Sequence, residues 1–466
     1  MYYLATGDCR SLTAPASARY QILSTSPWVV QDLQPEQPPA PTLAHLIAEC
    51  EPYQRLNACR WAVPEVLAQL PSARQATPCI LLDNVPLTSD GTPWPTLQQA
   101  WAAADLLQQL GWLMQLVRLW EPCYRQQVAA SLLSLDNIGV LGWQVRFFYL
   151  KPDSPELKLT DLVKCWRQLE PLAPQLQTIF EAVSAGQIEA AADLLAALEQ
   201  LAAVCAPSAK VQAVFGLTHP GERIYNEDCF DHEPQGRYAV VCDGMGGHEG
   251  GRVASSLALS ALKQDLLCLS YQCQNLEATE VRQELKQIAF RAHQRIWAIN
   301  QRQGRREHRQ MGTTAVACLM SGPLLHLLNI GDSRIYLIDR HHCQQISVDD
   351  DLLNREVSSA RVTRQTLQQT KGCGQLTQAL GVIPPIHLQP MVQTFLLPED
   401  CLILLCSDGL SDYDFIERHW QTLLLPLLEK QNLQTAAENL IKLALQKMGH
   451  DNITFVLLHY QGQSDK

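Results

Sequence analysis

The sequence predicts a two-part chain whose C-terminal part is an α+β layered domain, and three observations carry that expectation. At 466 residues the chain exceeds one ordinary core, because domains run to roughly 100–200 residues. A proline and small residues interrupt the pattern at 206–210 (APSAK) after a long helical stretch, which reads as a linker. Beyond it the apolar residues fall in short runs, with helical stretches inserted as a pair between two of them. Strands in series with paired helices suggest layered sheets and helices rather than an alternating parallel sheet. The expected domains are therefore 1–205 and 210–461.

In the first part, prolines cluster at Pro35, Pro38, Pro39 and Pro41 and again at Pro93 and Pro95, so many loops are expected. Residues 97–120 place Leu97, Trp101, Leu106, Leu110, Leu113, Met114, Val117 and Trp120 at mostly helical spacing, and 186–205 reads as a helix rich in alanine and leucine. In the second part, strands are expected at 238–242, 313–320, 324–330, 334–338, 401–406 and 453–459, each bounded by Gly, Asp or Asn. Helices are expected at about 253–269 and 278–301. Neither a repeat nor a low-complexity tract is found.

Composition narrows the function classes. A hydrophobic fraction of 47% against 18% charged residues belongs to a folded globular chain. The formal net charge of -11 argues against a nucleic-acid binder or a polybasic membrane anchor and suits cation binding. No window reaches the length of a membrane span, and the start, MYYLATGDCR, lacks the pattern of a signal peptide, so a cytoplasmic protein is expected. The 16 cysteines are scattered singly through apolar runs without a CxxC pair, as buried thiols of a reducing compartment are.

Five acidic motifs stand where apolar runs meet turns: RIYNED at 223–228, DGMGGH at 243–248, GDSR at 331–334, SDGL at 407–410 and DNIT at 451–454. A carboxylate at a strand end is held rigidly while its oxygens face a cleft. Each motif alone is a common turn or helix cap; five of them in one domain are a constellation. Several carboxylates without thiolates or paired histidines form the donor set of hard cations such as magnesium or manganese.

On these motifs, together with MGTT at 311–314, LTQALG at 376–381 and DGLSD at 408–412, the stretch 210–461 resembles the metal-dependent protein phosphatase family, the type 2C or PPM group, in its bacterial form. The resemblance implies a four-layer α/β-sandwich/α domain that hydrolyses phosphoserine and phosphothreonine, with phosphorylated proteins as partners. It further implies Mn2+ or Mg2+ as cofactor, two ions bound tightly and a third more loosely. By position, Asp243 is expected to bridge two cations, with Asp408 and Asp451 on one and Glu227 and the Gly244 carbonyl on the other. Asp228 is expected to hold water, Asp332 with Asp408 to bind the third cation, and Asn452 to orient Asp451 from behind. Arg223 matches the family's phosphate-gripping arginine, and Gly246 and Gly247 let the backbone pass close to the metals.

The sequence also departs from the family. Met245 stands where many eukaryotic relatives carry a histidine proposed as general acid, as bacterial members commonly have it, and nearby His248 reads as a structural hydrogen-bonder. Arg252, Asp350, Asp351 and Gln378 replace other residues near a flap expected at about 350–375, which bears on substrate preference. Residues 79–150 faintly resemble a degenerate protein kinase C-lobe, with CILLDNVPL as hinge strand, 97–120 as the following helix, and Asn137 at a metal-binding position. Ser131 stands near the catalytic aspartate's place, and neither DFG nor a glycine-rich loop with its strand lysine is present. The first part is accordingly expected to be a mainly helical or degenerate kinase-like domain that recruits substrate, senses a signal or regulates. The alternative function is a catalytically weak phosphoprotein-binding or scaffold module; such a member would have lost a ligand, and Asp243, Asp408 and Asp451 are all present.

Overall fold

A computed structural model describes residues 1–7, 9, 12, 19–37, 46–70, 78–154, 156–206, 210–246, 250–306, 309–368, 372–429 and 432–462. The chain divides into two units: Met1–Leu198 with Leu352–Gln375, and Glu199–Asp351 with Leu376–Lys466. The division falls inside helix Ala191–Cys205, a few residues before the linker read from the sequence, most of which lies outside the described residues. The stretch 210–461 is not one unit, because 352–375 groups with the N-terminal residues.

The first unit holds more helix than strand, but it is not helical alone. Its N-terminal residues form a five-stranded antiparallel sheet in the order Tyr20–Thr25, Trp28–Asp32, Tyr2–Thr6, Cys79–Asp83, Glu65–Leu70. These strands are five or six residues long, too short beside so many loop residues for a two-residue period to stand out. Tyr3, Ala5, Val30, Ala68 and Leu81 build the core on one face. The helix expected over 97–120 is broken in two: Leu97–Ala100 runs into a tight turn, and a new helix, Leu106–Arg125, starts where the Asp105 carboxylate accepts from Gln108 N–H at 2.8 Å. Asp105 is the N-cap of that helix, a position favouring such side chains. A hairpin of Ile138–Leu141 and Gln144–Phe147 follows, then helices Leu159–Trp166 and Pro174–Ser184.

Within this unit Glu65 sits between two arginines, with Arg60 Nε at 2.6 Å and Arg364 Nε at 3.0 Å from its two oxygens. Burial raises the Glu65 pKa, but Arg60 and Arg364 outweigh it and bring the group from an ordinary 4.5 down to about 2. A lowered folded-state pKa gives stability that is fully present above the unfolded value and fades as pH falls through the folded one. The denaturation midpoint of Glu65→Gln is therefore expected below that of the wild type at about pH 7, with the gap closing between about pH 4.5 and pH 2. Urea titrations of both proteins across that range check it; a constant gap would show that the charge of Glu65 is not what stabilises.

The second unit packs two five-stranded antiparallel sheets between helices. One sheet has the order Met391–Leu396, Leu324–Ile330, Ala315–Ser321, Tyr238–Cys242, Cys229–His232, and the other Cys343–Gln345, Arg334–Ile338, Cys401–Cys406, Ile453–Gln461, Lys210–His219. Helices Gly250–Gln272 and Ala278–Arg302 cover the first sheet, burying Ala254, Leu262, Leu285 and Ile296 against Tyr238, Val240, Ala317 and Leu328. Helices Phe415–Leu423 and Leu433–Met448 cover the second, with Phe415, Leu440 and Ala444 against Tyr336, Leu404 and Leu457. Because the strands are covered on both faces, Tyr238–Cys242 and Cys401–Cys406 are buried at every position, which is why they read as unbroken apolar runs rather than alternating ones. The result is an α+β fold of four layers, helix, sheet, sheet, helix. None of the 16 cysteines is in a disulfide, and among the described residues no helix is long and apolar enough to cross a membrane.

Candidate metal centre

Asp243 is the first residue past the buried strand Tyr238–Cys242. Its main chain is fixed from both sides by MGTT: its N–H donates to Thr314 Oγ1 at 3.1 Å, and its carbonyl accepts from Thr314 N–H and the Thr313 hydroxyl, both at 2.8 Å. The Thr314 hydroxyl also bonds the Ser333 hydroxyl at 2.7 Å, joining this strand end to the GDSR turn. LTQALG closes the other side, where Leu380 and Thr313 exchange two backbone hydrogen bonds of 2.8 and 3.2 Å.

Next to Asp243, Gly244 allows a close backbone approach: a Cβ there would lie 2.3 Å from the Gly251 carbonyl oxygen and 2.7 Å from that of Glu227. Gly251 does the same for the Glu227 side chain, since its Cβ would meet Glu227 Oε1 at 2.6 Å. Helix Gly250–Gln272 thus begins against Glu227, whose carbonyl also accepts from the Ser255 hydroxyl at 2.5 Å. Gly246 adopts φ +137 beside Gln310; Gly247 and His248 lie outside the described residues.

Asn452 braces the RIYNED loop. Its Oδ1 accepts from Glu227 N–H at 2.8 Å, and its Nδ2 donates to the carbonyls of Pro220 and Tyr225 at 2.9 and 3.0 Å. Asp451 receives the Asn452 backbone N–H at 2.7 Å, so the side chain expected to orient Asp451 instead holds Glu227. Asp228 accepts from the Ser407 hydroxyl at 2.8 Å. Ser407 ends strand Cys401–Cys406, and Asp408 opens the short helix Asp408–Ser411.

Electrostatics ties these acids into one group. Burial, then the charges of Asp228, Asp408 and Asp332, push the Asp243 carboxyl well above the carboxylate range, and it shares a hydrogen bond with Asp408. Asp332 is pushed well up by burial and by Asp408 and Asp349. Burial lifts Asp228 to about 7, with Asp408 and Asp451 adding to it against hydrogen bonds from Ser407 and Thr454. Asp408 is raised by burial, with Asp451 adding. Buried carboxylates that raise one another cannot all ionise without a compensating positive charge. Glu227 Oε1 is buried with no hydrogen-bond partner, a lone acceptor that suits a cation. The donors are all oxygens, which fits a hard divalent ion.

The side chains are not drawn in to coordination spacing. Among the described residues no three His, Cys, Asp or Glu side chains form a group spaced to hold one ion. Two of the acids are turned toward other partners, Asp228 to Ser407 and Asp451 to Arg223, whose Nη2 lies 2.7 Å from Asp451 Oδ2. Arg223 also donates Nε to the His450 carbonyl at 3.1 Å.

The family model described as protein phosphatase 2C matches residues 215–444, the stretch that contains four of the five acidic motifs. Residues 215–444 are a protein phosphatase 2C domain. The serine/threonine phosphatase stp of Listeria welshimeri is 28% identical over 244 residues, covering 51% of this chain and 90% of that protein. The serine/threonine protein phosphatase PstP of Mycobacterium tuberculosis is 31% identical over 229 residues, covering 47% of this chain and 40% of that one. Among solved structures, the catalytic domain of PstP in complex with two manganese ions is 29% identical, covers 55% of this chain and all of that one, and superposes with a TM-score of 0.45.

The phosphatase 2C domain also contains site-building residues that sequence reasoning left without a role. Ser407 holds Asp228, and Thr313 and Thr314 hold the Asp243 main chain. Arg334, the last residue of GDSR, clamps Asp349 with Nε at 2.9 and 3.2 Å and Nη2 at 2.8 Å. The signal was present, since all four lie inside motifs already singled out. Hydroxyls and an ion pair have no ligand signature, and their partners are distant in sequence. Asp350 stands next to Asp349 and exchanges two hydrogen bonds of 2.9 Å with Gly331, the residue before Asp332. Met245 pairs with Gly312.

Proposed function

We propose that this chain is a protein serine/threonine phosphatase that hydrolyses phosphoserine and phosphothreonine in phosphorylated proteins, using Mn2+ or Mg2+. One observation carries the reading: Asp228, Asp243, Asp332 and Asp408 form one cluster at the strand ends, Asp228 buried and the other three half-buried, in which the Asp408 charge raises the pKa of Asp228, Asp243 and Asp332, beside a buried Glu227 oxygen that has no donor. In this assignment Asp243, Asp408, Asp451, Glu227 and the Gly244 carbonyl would hold two ions, Asp228 would hold water, and Asp332 with Asp408 would hold a looser third ion. When bound, divalent cations activate water and stabilise charge on a phosphoryl group during in-line displacement.

The chain's own residues supply position. The threonines of MGTT fix the Asp243 main chain before substrate arrives, so little reorganisation accompanies the reaction. Arg223 can trade its Asp451 partner for two phosphate oxygens, which its planar fork suits. The ester is cleaved as water oxygen bonds to phosphorus and the serine or threonine oxygen leaves with a proton; with Met245 in place, that proton comes from water rather than an adjacent imidazole.

Residues 1–205 are the part that recruits substrate or regulates. A degenerate kinase-like origin for them is supported by the order of parts: a five-stranded sheet, the long helix Leu106–Arg125, then the hairpin from Ile138 to Phe147. Asn137 spends its amide on the main chain, donating to Tyr149 O at 2.8 Å and accepting from Tyr149 N–H at 3.2 Å, so it serves as a bracket and nucleotide chemistry is not expected. The absence of disulfides in a cysteine-rich chain supports a cytoplasmic setting.

The purified protein is expected to hydrolyse an aryl phosphate and a phosphothreonine peptide when manganese or magnesium is added, and to stop with chelator. Undiminished turnover in excess chelator would overturn the mechanism.

A further inference from the structure

Strand Cys229–His232 pairs antiparallel with Tyr238–Cys242, and the register sets Cys242 directly opposite Cys229. Both side chains lie on the face covered by helices Gly250–Gln272 and Ala278–Arg302: Cys242 belongs to the buried cluster with Tyr238 and Val240, and Cys229 packs against that cluster. Cys229, ahead of burial, is what pushes the Cys242 thiol well above its ordinary value, so the two side chains are close enough to act on each other. Cys242 is closed off from solvent, whereas Cys229 is half-buried and open to a small solute.

Most buried cysteines are small core fillers, and three features set this pair apart from that role. The first is the direct opposition of two thiols on one face. The second is access from solvent to one of them; Cys9 and Cys79, whose sulfurs lie 4.0 Å apart, are both buried. The third is position, because Asp228 immediately precedes Cys229 and Asp243 immediately follows Cys242. Residues opposite each other in an antiparallel pair hold their Cβ atoms about 4.5–5.5 Å apart, and a disulfide needs about 3.5–4.5 Å, so joining the two sulfurs draws the strands together by on the order of 1 Å. The adjoining acids are anchored against such a pull. Asp228 accepts from the Ser407 hydroxyl at 2.8 Å, and the Asp243 main chain is held by Thr313 and Thr314. A displacement of about 1 Å in the groups that position a reaction can cost roughly 100-fold in rate.

We propose that Cys229 and Cys242 are a redox modification site: hydrogen peroxide joins them in a reversible cross-strand disulfide that displaces Asp228 and Asp243 and switches the metal centre off. The Cys229 sulfur bonds to one peroxide oxygen as the O–O bond breaks, and the other oxygen leaves as water with the proton Cys229 gives up. The Cys242 sulfur then bonds to the Cys229 sulfur, and the S–O bond breaks to release a second water with the Cys242 proton. Two thiols are oxidised by two electrons and one peroxide is reduced to two waters. A dithiol reductant reverses the bond. The loss of turnover rests on the phosphatase reading; formation of the bond does not.

The test treats the full chain with hydrogen peroxide, removes the excess with catalase, blocks the remaining thiols and digests without reductant. Trypsin, cutting after Arg223, Arg237 and Arg252, leaves Cys229 and Cys242 in separate peptides with one cysteine each. The expected result is a mass equal to 224–237 joined to 238–252 less two hydrogens. Manganese-dependent turnover of an aryl phosphate should fall in step with that species by at least about 10-fold and return with dithiothreitol. The rise in melting temperature that manganese gives should vanish and return alongside it. Cys229→Ser and Cys242→Ala should each resist peroxide, whereas Cys79→Ala should be inactivated as the wild type is. Absence of the joined peptides in inactivated protein, their presence with turnover and manganese response unchanged, or inactivation of Cys229→Ser at the wild-type rate would each overturn the inference. A wild type without phosphatase activity would overturn the phosphatase reading alone, since peptide mapping and the manganese melting shift still decide whether the bond forms and disables the site.

Discussion

Asp243→Asn is expected to reduce manganese-dependent turnover by at least about 1,000-fold, a loss of roughly 4 kcal/mol or more of transition-state stabilisation. The substitution keeps the side chain's size and deletes the charge assigned to both ions. The metal-free fold should not suffer. Asp243 lies among Asp228, Asp332 and Asp408, whose charges together with burial drive its pKa well up, and it already shares a hydrogen bond with Asp408. An asparagine amide can donate that hydrogen bond without adding charge, so the melting temperature without cation should stay level or rise. The wild type should gain more stability from added manganese than the variant does, because only ligands for the folded state stabilise it. Near-normal turnover would place the chemistry elsewhere, and a collapsed melting transition would make Asp243 a structural residue.

The second large effect is expected at Arg334, whose guanidinium holds Asp349 and also donates to the Ser411 carbonyl at 3.2 Å. Arg334 and Asp349 are 22% and 8% exposed, so removing one partner strands the other charge in a shielded place. Arg334→Leu should cost about 3–5 kcal/mol in urea unfolding. The double variant Arg334→Leu/Asp349→Leu should recover a large share, since an apolar pair of suitable volume often replaces a buried ion pair at little cost. A single variant within about 0.5 kcal/mol of the wild type would show the pair to be solvated and weak.

How far the sequence could be read follows from how each part signals. Strands Tyr238–Cys242, Leu324–Ile330 and Cys401–Cys406 are covered on both faces, so their apolar runs stand out and the acids at their ends mark the site. The N-terminal sheet was illegible for the opposite reason. Strand Tyr20–Thr25 has an exposed or half-exposed residue at five of its six positions, and its partners are brief. The break at Asp105 is a local capping signal that helical spacing alone does not reveal. Asn452 was assigned to its sequence neighbour, yet its side chain reaches Glu227, 225 residues away. The tie between Arg364 and Glu65 spans 299 residues, and no local pattern encodes such a pairing.

Strand Ile453–Gln461 lies inside its sheet, paired on one side with Cys401–Cys406 and on the other with Lys210–His219. That makes the last strand among the described residues the keystone for the first strand of the phosphatase unit, and Asp451 and Asn452 arrive just ahead of it. As the chain leaves the ribosome, Lys210–His219 has no neighbour within its sheet until Ile453–Gln461 emerges, more than 230 residues later, and the Glu227 loop waits as long for the Asn452 amide. Closure of so distant a pair is slow, and partly made chains with unpaired strand edges are open to misassociation. The same order of events sets a delay on the proposed metal centre: Asp451 is made more than 220 residues after Glu227, so its set of donors stays incomplete until the chain has grown that far.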